Sequence, residues 1–301
     1  MRYTFGPVNS RRFGLSLGID LSPDQKSCNF DCVYCELSGA KPTDKISNPP
    51  KVKEVIKEVK ESLCKFPDIK VITITSNGEP TLYEHLDELV NGLNKIKEDK
   101  KLLILTNSST ICDEKVQKAL LKIDIVKFSL DCASTKCFKK IDRPLKGIDI
   151  TDITKCMVEF SNIFTNTLIV EILVVKGIND NKKEMREIYQ VLKDIKPHRV
   201  DIGTIDRPPA YKVEAVDEKK LEELSHCFDN IAISLIRKNI PDKKENFSKE
   251  EILNLLSHRP QSEWDIEYFF SENSKKILEK LLFDHKIIKE DIAGVAFYTT
   301  P

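Results

Sequence analysis

The sequence predicts an α/β protein whose main sheet is parallel. Three observations indicate this fold class: short runs rich in Val and Ile recur between residues 15 and 205, amphipathic stretches separate them, and the pattern changes after residue 206. Apolar runs of this kind are typical of parallel strands covered on both faces. Alternating strands and helices indicate repeated βα units, which build an open sheet or a partial barrel.

Six strands are predicted in this part of the chain, at residues 15–20, 70–75, 102–106, 125–130, 168–175 and 199–204. Five helices are predicted between them, at residues 51–65, 82–97, 113–122, 148–163 and 182–195. The first helix places Val52, Val55 and Val59 at helical spacing, so these side chains line one face. Functional side chains are expected where such strands end at their carboxyl termini.

The regular alternation ends at a segment rich in turn signals, Asp206-Arg-Pro-Pro-Ala210. We predict a barrel unit over residues 1–212, a connecting helix, strand and linker over 213–244, and a small domain over 245–301. The small domain has three helical patterns and a two-stranded tail, the order of a winged helix, at residues 249–257, 262–270, 274–285 and 287–299. Ser248 is placed to cap the first of these helices.

The composition disfavours several classes of protein. The chain has 301 residues, 40% hydrophobic and 32% charged, as expected of a folded soluble protein. No apolar run approaches the roughly 20 residues of a membrane span, and the N-terminus lacks a signal-peptide core. We therefore expect a cytoplasmic protein. Lys plus Arg and Asp plus Glu both total 48, so the net charge gives no sign of nucleic-acid binding.

Three of the nine cysteines lie close together, at Cys28, Cys32 and Cys35. Thiolates hold iron–sulfur clusters, and three ligands from one loop can occupy three irons of a [4Fe–4S] cluster. A zinc site normally has four ligands, and the next histidine is His85. A zinc knuckle and three unliganded thiols remain the alternatives. The other six cysteines lack compact spacing and are expected to be buried free thiols: Cys64, Cys112, Cys132, Cys137, Cys156 and Cys227.

The CxxxCxxC spacing resembles that of the radical S-adenosylmethionine (SAM) superfamily, in which an aromatic residue precedes the last cysteine, as Tyr34 does here. The resemblance implies a partial (βα)6 barrel, a [4Fe–4S] cluster on the three cysteines, and SAM on the open iron. In this family the reduced cluster cleaves SAM to a 5′-deoxyadenosyl radical that abstracts hydrogen from a substrate. It also implies a reducing partner such as flavodoxin or ferredoxin.

Further positions at predicted strand ends resemble the family pattern. Ser76-Asn77-Gly78-Glu79-Pro80 is similar to its GGE motif, with Asn77 in place of the first glycine. The resemblance implies that the Glu79 carboxylate and backbone carbonyls accept hydrogen bonds from the ammonium group of SAM. An ordinary turn is the alternative.

Polar residues that follow later strands are candidates for the remainder of the SAM site. Ser129 and Asp131 lie on the same side of one strand end and could bind the ribose hydroxyls or cap a helix. Asn107 is a further candidate of this kind. The turn at residues 177–180 could shape the pocket, although turn chemistry explains it as well.

The resemblance narrows to a prokaryotic group related to the tRNA wyosine-base (4-demethylwyosine) synthase. It is carried by residues 3–20, Ile141-Asp-Arg-Pro144 and Asp206-Arg-Pro-Pro-Ala210. The synthase builds a tricyclic base on N1-methylguanosine of tRNA from pyruvate, so the resemblance implies a tRNA base as substrate only if the synthase's second site is present too. The sequence departs from it, because no cysteine precedes Cys28 to hold the synthase's second cluster and no pyruvate-binding lysine is identified. The substrate therefore stays open.

Four arginines are candidates for substrate binding: Arg11, Arg12, Arg143 and Arg207. The guanidinium fork suits phosphate and carboxylate groups. For Arg11 and Arg12 the alternative is a tie between the N-terminal segment and the barrel.

The C-terminal region does not resemble a DNA-binding module in its charge. Residues 242–301 carry nine Lys or Arg and twelve Asp or Glu, whereas helices that bind duplexes present a basic face. We expect a protein contact or a cap over the barrel. The competing hypothesis is an iron–sulfur sensor that regulates through this winged-helix-like region.

Overall fold

The computed structural model describes residues 2–10, 12–235, 243–292 and 295–301. Its main sheet has eight strands in sequential order: β1 (Thr4–Ser10), β2 (Gly14–Asp20), β3 (Val71–Thr75), β4 (Lys101–Thr106), β5 (Ile125–Ser129), β6 (Thr167–Val174), β7 (Arg199–Thr204) and β8 (Ile233–Leu235). Strands β2 to β8 pair in parallel, and β1 is antiparallel to β2. The predicted α/β fold with a mainly parallel sheet is confirmed, and β1 and β8 extend its six predicted strands.

Helices connect the parallel strands: α1 (Val52–Lys65), α2 (Leu86–Ile96), α3 (Glu114–Leu120), α4 (Thr135–Ile141), α5 (Ile150–Ser161), α6 (Lys182–Ile195) and α7 (Glu218–Ser225). A short 3₁₀ helix (Pro80–Leu82) precedes α2. The helix α4 was not among the predicted helices. Ser134 caps α4 by accepting a hydrogen bond from the amide of Cys137, so neither Ser129 nor Asp131 is its cap.

The two faces of the parallel strands differ in chemistry. On the outer face, Ile72, Val126 and Phe128 are fully buried beneath the helices. The inner face carries polar side chains, among them Thr73 and Lys127, because successive residues of a strand point to opposite sides. The strands therefore enclose a partly polar interior, although their sequences read as continuous apolar runs.

The N-terminal strand β1 forms a hairpin with β2 whose tip is tied to the barrel interior. Arg12 lies 3.3 Å from Glu171 of β6 and 3.2 Å from Asp201 of β7, and Lys127 of β5 contacts the same two carboxylates. β1 was not predicted, because a register shift between Phe5 and Val8 interrupts the alternation of its side chains.

The C-terminal unit, residues 243–301, contains six further elements: α8 (Lys249–His258), β9 (Gln261–Ser262), α9 (Glu263–Phe269), α10 (Glu272–Phe283), β10 (Ile288–Ile292) and β11 (Val295–Thr299). Its three strands form an antiparallel sheet in the order β10-β11-β9. Ser248 caps α8 in a capping box with Glu251, as predicted. The winged-helix assignment and the predicted boundaries stay predictions, although α7 and β8 of the predicted connecting region belong to the main fold.

The C-terminal unit packs against the N-terminal hairpin. Phe247, Leu255 and Phe270 form an apolar cluster that includes Val8 of β1. Lys65 of α1 lies 2.5 Å from Glu251 of α8. The unit and the barrel therefore share buried surface.

Four of the remaining cysteines are paired, which corrects the expectation of free thiols. Cys112 is joined to Cys156 and Cys132 to Cys137, with Cα separations of 5.3 and 5.8 Å. The first pair spans 44 residues and could not be recognised from local spacing. Cys64 is an exposed free thiol rather than a buried one. In the described part of the chain, no helix has the length and apolar character needed to cross a membrane.

Candidate metal and cofactor site

The three clustered cysteines lie on a long loop between β2 and α1. The amides of Asp31 and Val33 donate to the carbonyl oxygens of Asp142 and Ile141, at 3.0 and 2.8 Å. These acceptors stand at the carboxyl end of α4, whose last carbonyls have no partner within the helix. The loop is thus fixed by backbone hydrogen bonds although residues 28–35 have no regular secondary structure.

Hydrogen-bond donors surround the sulfur atoms of two cysteines. The amide of Phe30 and the Nδ2 of Asn107 lie 3.4 and 3.7 Å from Cys28 Sγ. The Nζ of Lys26 lies 3.4 Å from Cys35 Sγ. Such donors stabilise thiolates and tune the potential of an iron–sulfur cluster. Asn107, predicted to contact the ribose, is directed here toward a cysteine.

Cys32, the middle cysteine of the three, faces a buried carboxyl group. Cys32 Sγ lies 3.3 Å from Asp142 Oδ1 and donates to it. Burial, followed by the charge of Asp142, raises the pKa of Cys32 well above its ordinary value. Burial also raises the pKa of Cys28 to about 12. Protonated thiols are not ligands, so a bound metal must replace these protons, which links metal binding to pH.

The three clustered thiols differ from the other group of candidate ligands in the described ranges. Cys132, Cys137 and Glu184 have ligand atoms within 4.8 Å of one another, but the two cysteines are joined to each other. Cys28, Cys32 and Cys35 are free thiols. The hydrogen-bond donors at Cys28 and Cys35 suit sulfur ligands of an iron–sulfur cluster.

The turn at residues 76–80 lies against the cysteine loop. The amide of Ser27 donates to Asn77 O at 2.8 Å, and the amide of Glu79 donates to Ser27 O at 2.9 Å. Gly78 between them has φ +141°, and a Cβ there would stand 1.8 Å from Ser27 O. Only glycine permits this approach. The predicted motif is therefore in direct contact with the residue that precedes Cys28.

The Glu79 carboxylate accepts four hydrogen bonds within the protein. The donors are the amide and hydroxyl of Thr81, at 3.0 and 2.6 Å, and the hydroxyl of Thr106 and the amide of Asn107, both at 2.7 Å. Burial raises the pKa of Glu79 against the opposing effect of these bonds. The carboxylate fixes the turn to the end of β4, and its contact with the SAM ammonium group stays a prediction.

Tyr34 and Asp131 are partners. The Tyr34 hydroxyl donates to Asp131 Oδ2, and the amide of Leu173 donates to Oδ1 at 2.7 Å. Burial raises the pKa of Asp131 to about 7. Asn179, in the turn noted after the fifth predicted strand, donates to Asp131 O at 2.9 Å. Both carboxylate oxygens of Asp131 are thus engaged, and a ribose contact by Asp131 stays a prediction.

The fold brings four of the predicted SAM contacts to one small cavity. Tyr34, Asn107, Ser129 and Asp131 line it, and its volume of about 20 Å³ holds a single water molecule. Tyr34, Asn107 and Ser129 are half-buried, and Asp131 is buried. The sequence placed these residues at strand ends, and the parallel sheet makes them neighbours.

The four predicted substrate arginines do not form one group. Arg12 is held inside the barrel, as the alternative hypothesis for this residue stated, and Arg11 lies outside the described residues. Arg207 is buried against the C-terminal unit, where it donates to Pro260 O and lies 3.7 Å from Asp265. Arg143 is exposed and lies 4.3 Å above the Tyr211 ring. Arg143 alone of the described three keeps the open position that substrate binding requires.

Two carboxylates of the site were not identified from the sequence as functional. Asp142 was noted only within a motif of the resemblance, and Asp20 only as the end of a strand. Asp20 Oδ1 accepts hydrogen bonds from the amides of Ser22 and Asn77, at 2.8 and 2.7 Å. Asp20 could have been recognised as a candidate, because a carboxylate at the end of a buried strand is costly unless it has partners.

Comparisons with known proteins agree with this geometry. A sequence model of the radical SAM superfamily matches residues 23–203. A UPF0026 protein of Helicobacter pylori is 41% identical over 297 residues, which cover 98% of this chain and 96% of that protein. A radical SAM methyltransferase of Sphaerobacter thermophilus has a TM-score of 0.60 at 13% identity, over 73% of this chain and 65% of its own. Streptococcus suis SuiB bound to S-adenosylmethionine has a TM-score of 0.55 at 17% identity, over 71% and 49%. At these identities the structural likeness shows the fold.

We expect Gly78→Ala to damage the site more than Gly147→Ala. Both glycines have positive φ, so both substitutions add backbone strain of about 1 kcal/mol or more. Only Gly78 has an atom in the way, since nothing lies within 4 Å of a Cβ at Gly147. Iron bound per chain after anaerobic reconstitution and the melting temperature should both fall further for Gly78→Ala. Equal losses would show that the contact with Ser27 is unimportant.

Proposed function

The chain belongs to the radical SAM superfamily, and we propose that Cys28, Cys32 and Cys35 hold the cluster with which it cleaves SAM reductively. It is a radical SAM enzyme whose cofactors are a [4Fe–4S] cluster and SAM. The observation that carries the residue assignment is the set of hydrogen-bond donors around the free thiols of Cys28 and Cys35.

The residues of the chain supply position and surroundings. When bound, the cluster and SAM supply an electron transfer that releases methionine and a 5′-deoxyadenosyl radical able to abstract hydrogen from a substrate. We assign the backbone of the turn at residues 76–80 to the amino group of SAM, and Ser129 to its ribose. Asn107 and Lys26 donate to cysteine sulfurs, which favours the thiolate form.

The barrel interior offers the proposed position for the substrate. Leu105 of β4 points inward and is 36% exposed, while Glu171 of β6 has 30% of its side chain exposed. Glu171 is fixed by Arg12 and Lys127, whose charges and hydrogen bonds hold its pKa below its ordinary value against the effect of burial. An ionised acceptor and an apolar side chain thus face the space next to Ser129.

For the substrate we propose a base of tRNA. This proposal is supported by the similarity of residues 3–20 and 206–210 to the wyosine-synthase group. The sequence departs from that group in having no cysteine in residues 1–27, so the proposal names a tRNA base and not wyosine synthesis. A flat nucleobase matches an interior that combines a carboxylate acceptor with apolar surface.

Each cysteine ligand should be indispensable. We expect Cys28→Ala, Cys32→Ala and Cys35→Ala to abolish release of methionine and 5′-deoxyadenosine after anaerobic reconstitution, because each cysteine is one of three anchors. Cys64→Ala is the matched control, since Cys64 is exposed and free. Fully loaded wild-type protein that releases neither product would contradict the proposed function.

Deletion of the gene should remove a modified nucleoside from tRNA. Bulk tRNA from wild-type and deletion cells is digested and compared by mass spectrometry, with the deletion complemented by wild type or by Cys32→Ala. The missing nucleoside should return only with the wild type. Unchanged tRNA nucleosides would overturn the tRNA proposal while leaving SAM cleavage unaffected.

Radical SAM enzymes generally need a reductant, and we propose that an acidic one-electron donor of the flavodoxin or ferredoxin class docks on α4. Lys136, Lys139 and Lys140 are exposed on one side of this helix, opposite Phe138 and the other buried side chains. The carboxyl end of α4 bonds directly to the cysteine loop. A donor bound to these lysines is therefore close to the cluster ligands, and opposite charge speeds such encounters.

Reversing the charge of these lysines distinguishes loss of donor docking from damage to the cluster. We expect the triple variant K136E, K139E and K140E to slow 5′-deoxyadenosine formation about tenfold with reduced flavodoxin at low ionic strength. The rate with dithionite should be unchanged. The exposed α1 lysines reversed as K53E, K57E and K60E serve as control. An unchanged flavodoxin rate, or an equal loss with dithionite, would refute the docking site.

A further inference from the structure

Asp20 connects the two loops of the site. It ends β2, its side chain is 2% exposed, and its Oδ1 accepts the amides of Ser22 and Asn77. Ser22 begins the segment that leads to the cysteines, and Asn77 belongs to the turn that contacts Ser27. A single carboxylate oxygen therefore links the start of the cysteine loop to the turn, in addition to the backbone hydrogen bonds between the turn and Ser27.

The second oxygen of Asp20 faces a histidine of the C-terminal unit. His258, the last residue of α8, places Nε2 3.2 Å from Asp20 Oδ2 and Nδ1 2.7 Å from Asn254 O. Carbonyl and carboxylate oxygens only accept hydrogen bonds, so both ring nitrogens must carry a proton. The geometry requires an imidazolium, which is the counter-charge of a carboxylate that would otherwise be buried without one.

The position of the His258 ring is fixed from two further sides. It stacks on Phe5 of β1, with ring centroids 4.8 Å apart and planes at 8°. Phe5 in turn covers Gly18 of β2, where a Cβ would stand 2.2 Å from the Phe5 ring. Asn254 Nδ2 donates to Thr4 O at 2.8 Å and holds α8 on β1. The histidine is thus directed at Asp20 by the packing of the whole helix.

We propose that His258 is a positioning residue of the SAM site, which acts by holding the Asp20 carboxylate in the orientation that fixes the turn at residues 76–80. The inference rests on the proposed function, because it takes that turn to bind the amino group of SAM. The inference gives the C-terminal unit a role in cofactor binding. This unit supplies His258, and without it the Asp20 carboxylate that links the cysteine loop to the turn is no longer held in place.

The contact depends on pH in a defined direction. Burial lowers the pKa of His258, but hydrogen bonds to Asp20 and Asn254 O and the charges of Asp20 and Glu58 outweigh it, so its pKa is raised. Asp20 of β2 and Glu58 of α1 are the charged groups that act on the ring. A raised histidine pKa means that the ion pair is present at low pH and is lost as pH rises through that value. SAM affinity of the wild type should therefore weaken over that rise.

The test uses the full chain and three variants. His258→Phe keeps a ring for Phe5 and removes both donors, whereas His258→Gln keeps one neutral donor that can reach Asp20. His285→Gln is the control, because His285 is an exposed histidine of the same unit. Two quantities are measured: amide hydrogen exchange of the peptide that contains Asn77, in protein without cluster, and KM for SAM against kcat in reconstituted protein.

For His258→Phe we expect faster exchange at Asn77 and a KM for SAM raised about tenfold, with kcat changed by less than about threefold. His258→Gln should recover part of the affinity and lose its pH dependence, and His285→Gln should match the wild type. An unchanged KM in His258→Phe, with or without faster exchange, would overturn the positioning role. Wild-type protein that binds no SAM would overturn the proposed function as well, so the two failures can be told apart.

Discussion

The site depends on anchoring a long loop that has no regular secondary structure around its cysteines. The loop cannot satisfy its own backbone groups, so other elements must supply partners for them. The carboxyl end of α4 accepts the amides of Asp31 and Val33, and the turn at residues 76–80 exchanges hydrogen bonds with Ser27. Asp20 adds a charged acceptor at the start of the loop. The cysteines are held in place because these three anchors come from different strands and from a helix, all fixed by the same sheet.

Three buried carboxylates contribute to this anchoring, and each has a different set of hydrogen-bond partners that offsets the cost of its burial. Glu79 is surrounded by hydroxyl and amide donors, Asp131 by the Tyr34 hydroxyl and an amide, and Asp20 by two amides and His258. A buried carboxylate that lost its partners would carry the full cost of desolvation, so each one selects a single arrangement of its neighbours. Glu79 and Asp131, which the sequence predicted as SAM contacts, therefore also hold the backbone around the cysteine loop in one arrangement.

The C-terminal unit belongs to this arrangement. Its acidic composition disfavoured DNA binding, and its contacts with β1 and Arg207 place it against the barrel. A regulator acting through a separate DNA-binding module would be expected to keep such a module free of the catalytic unit. The shared core with Val8 and the His258–Asp20 contact instead favour a part that completes the barrel.

The sequence by itself determined the fold class and most of the strand and helix positions, and its cysteine spacing is the basis of the proposed cluster ligands. Strand and helix periodicity is local, and so is the spacing of Cys28, Cys32 and Cys35, which explains why β7 and α6 were predicted at their observed bounds. The tertiary structure alone decided the roles of polar residues. Glu79 and Asp131 became internal acceptors, Arg12 and Arg207 became ties, and four cysteines became pairs. The decisive partners are distant in sequence, as in Asp20 and His258, and no local pattern records a contact that arises only when separate elements pack together.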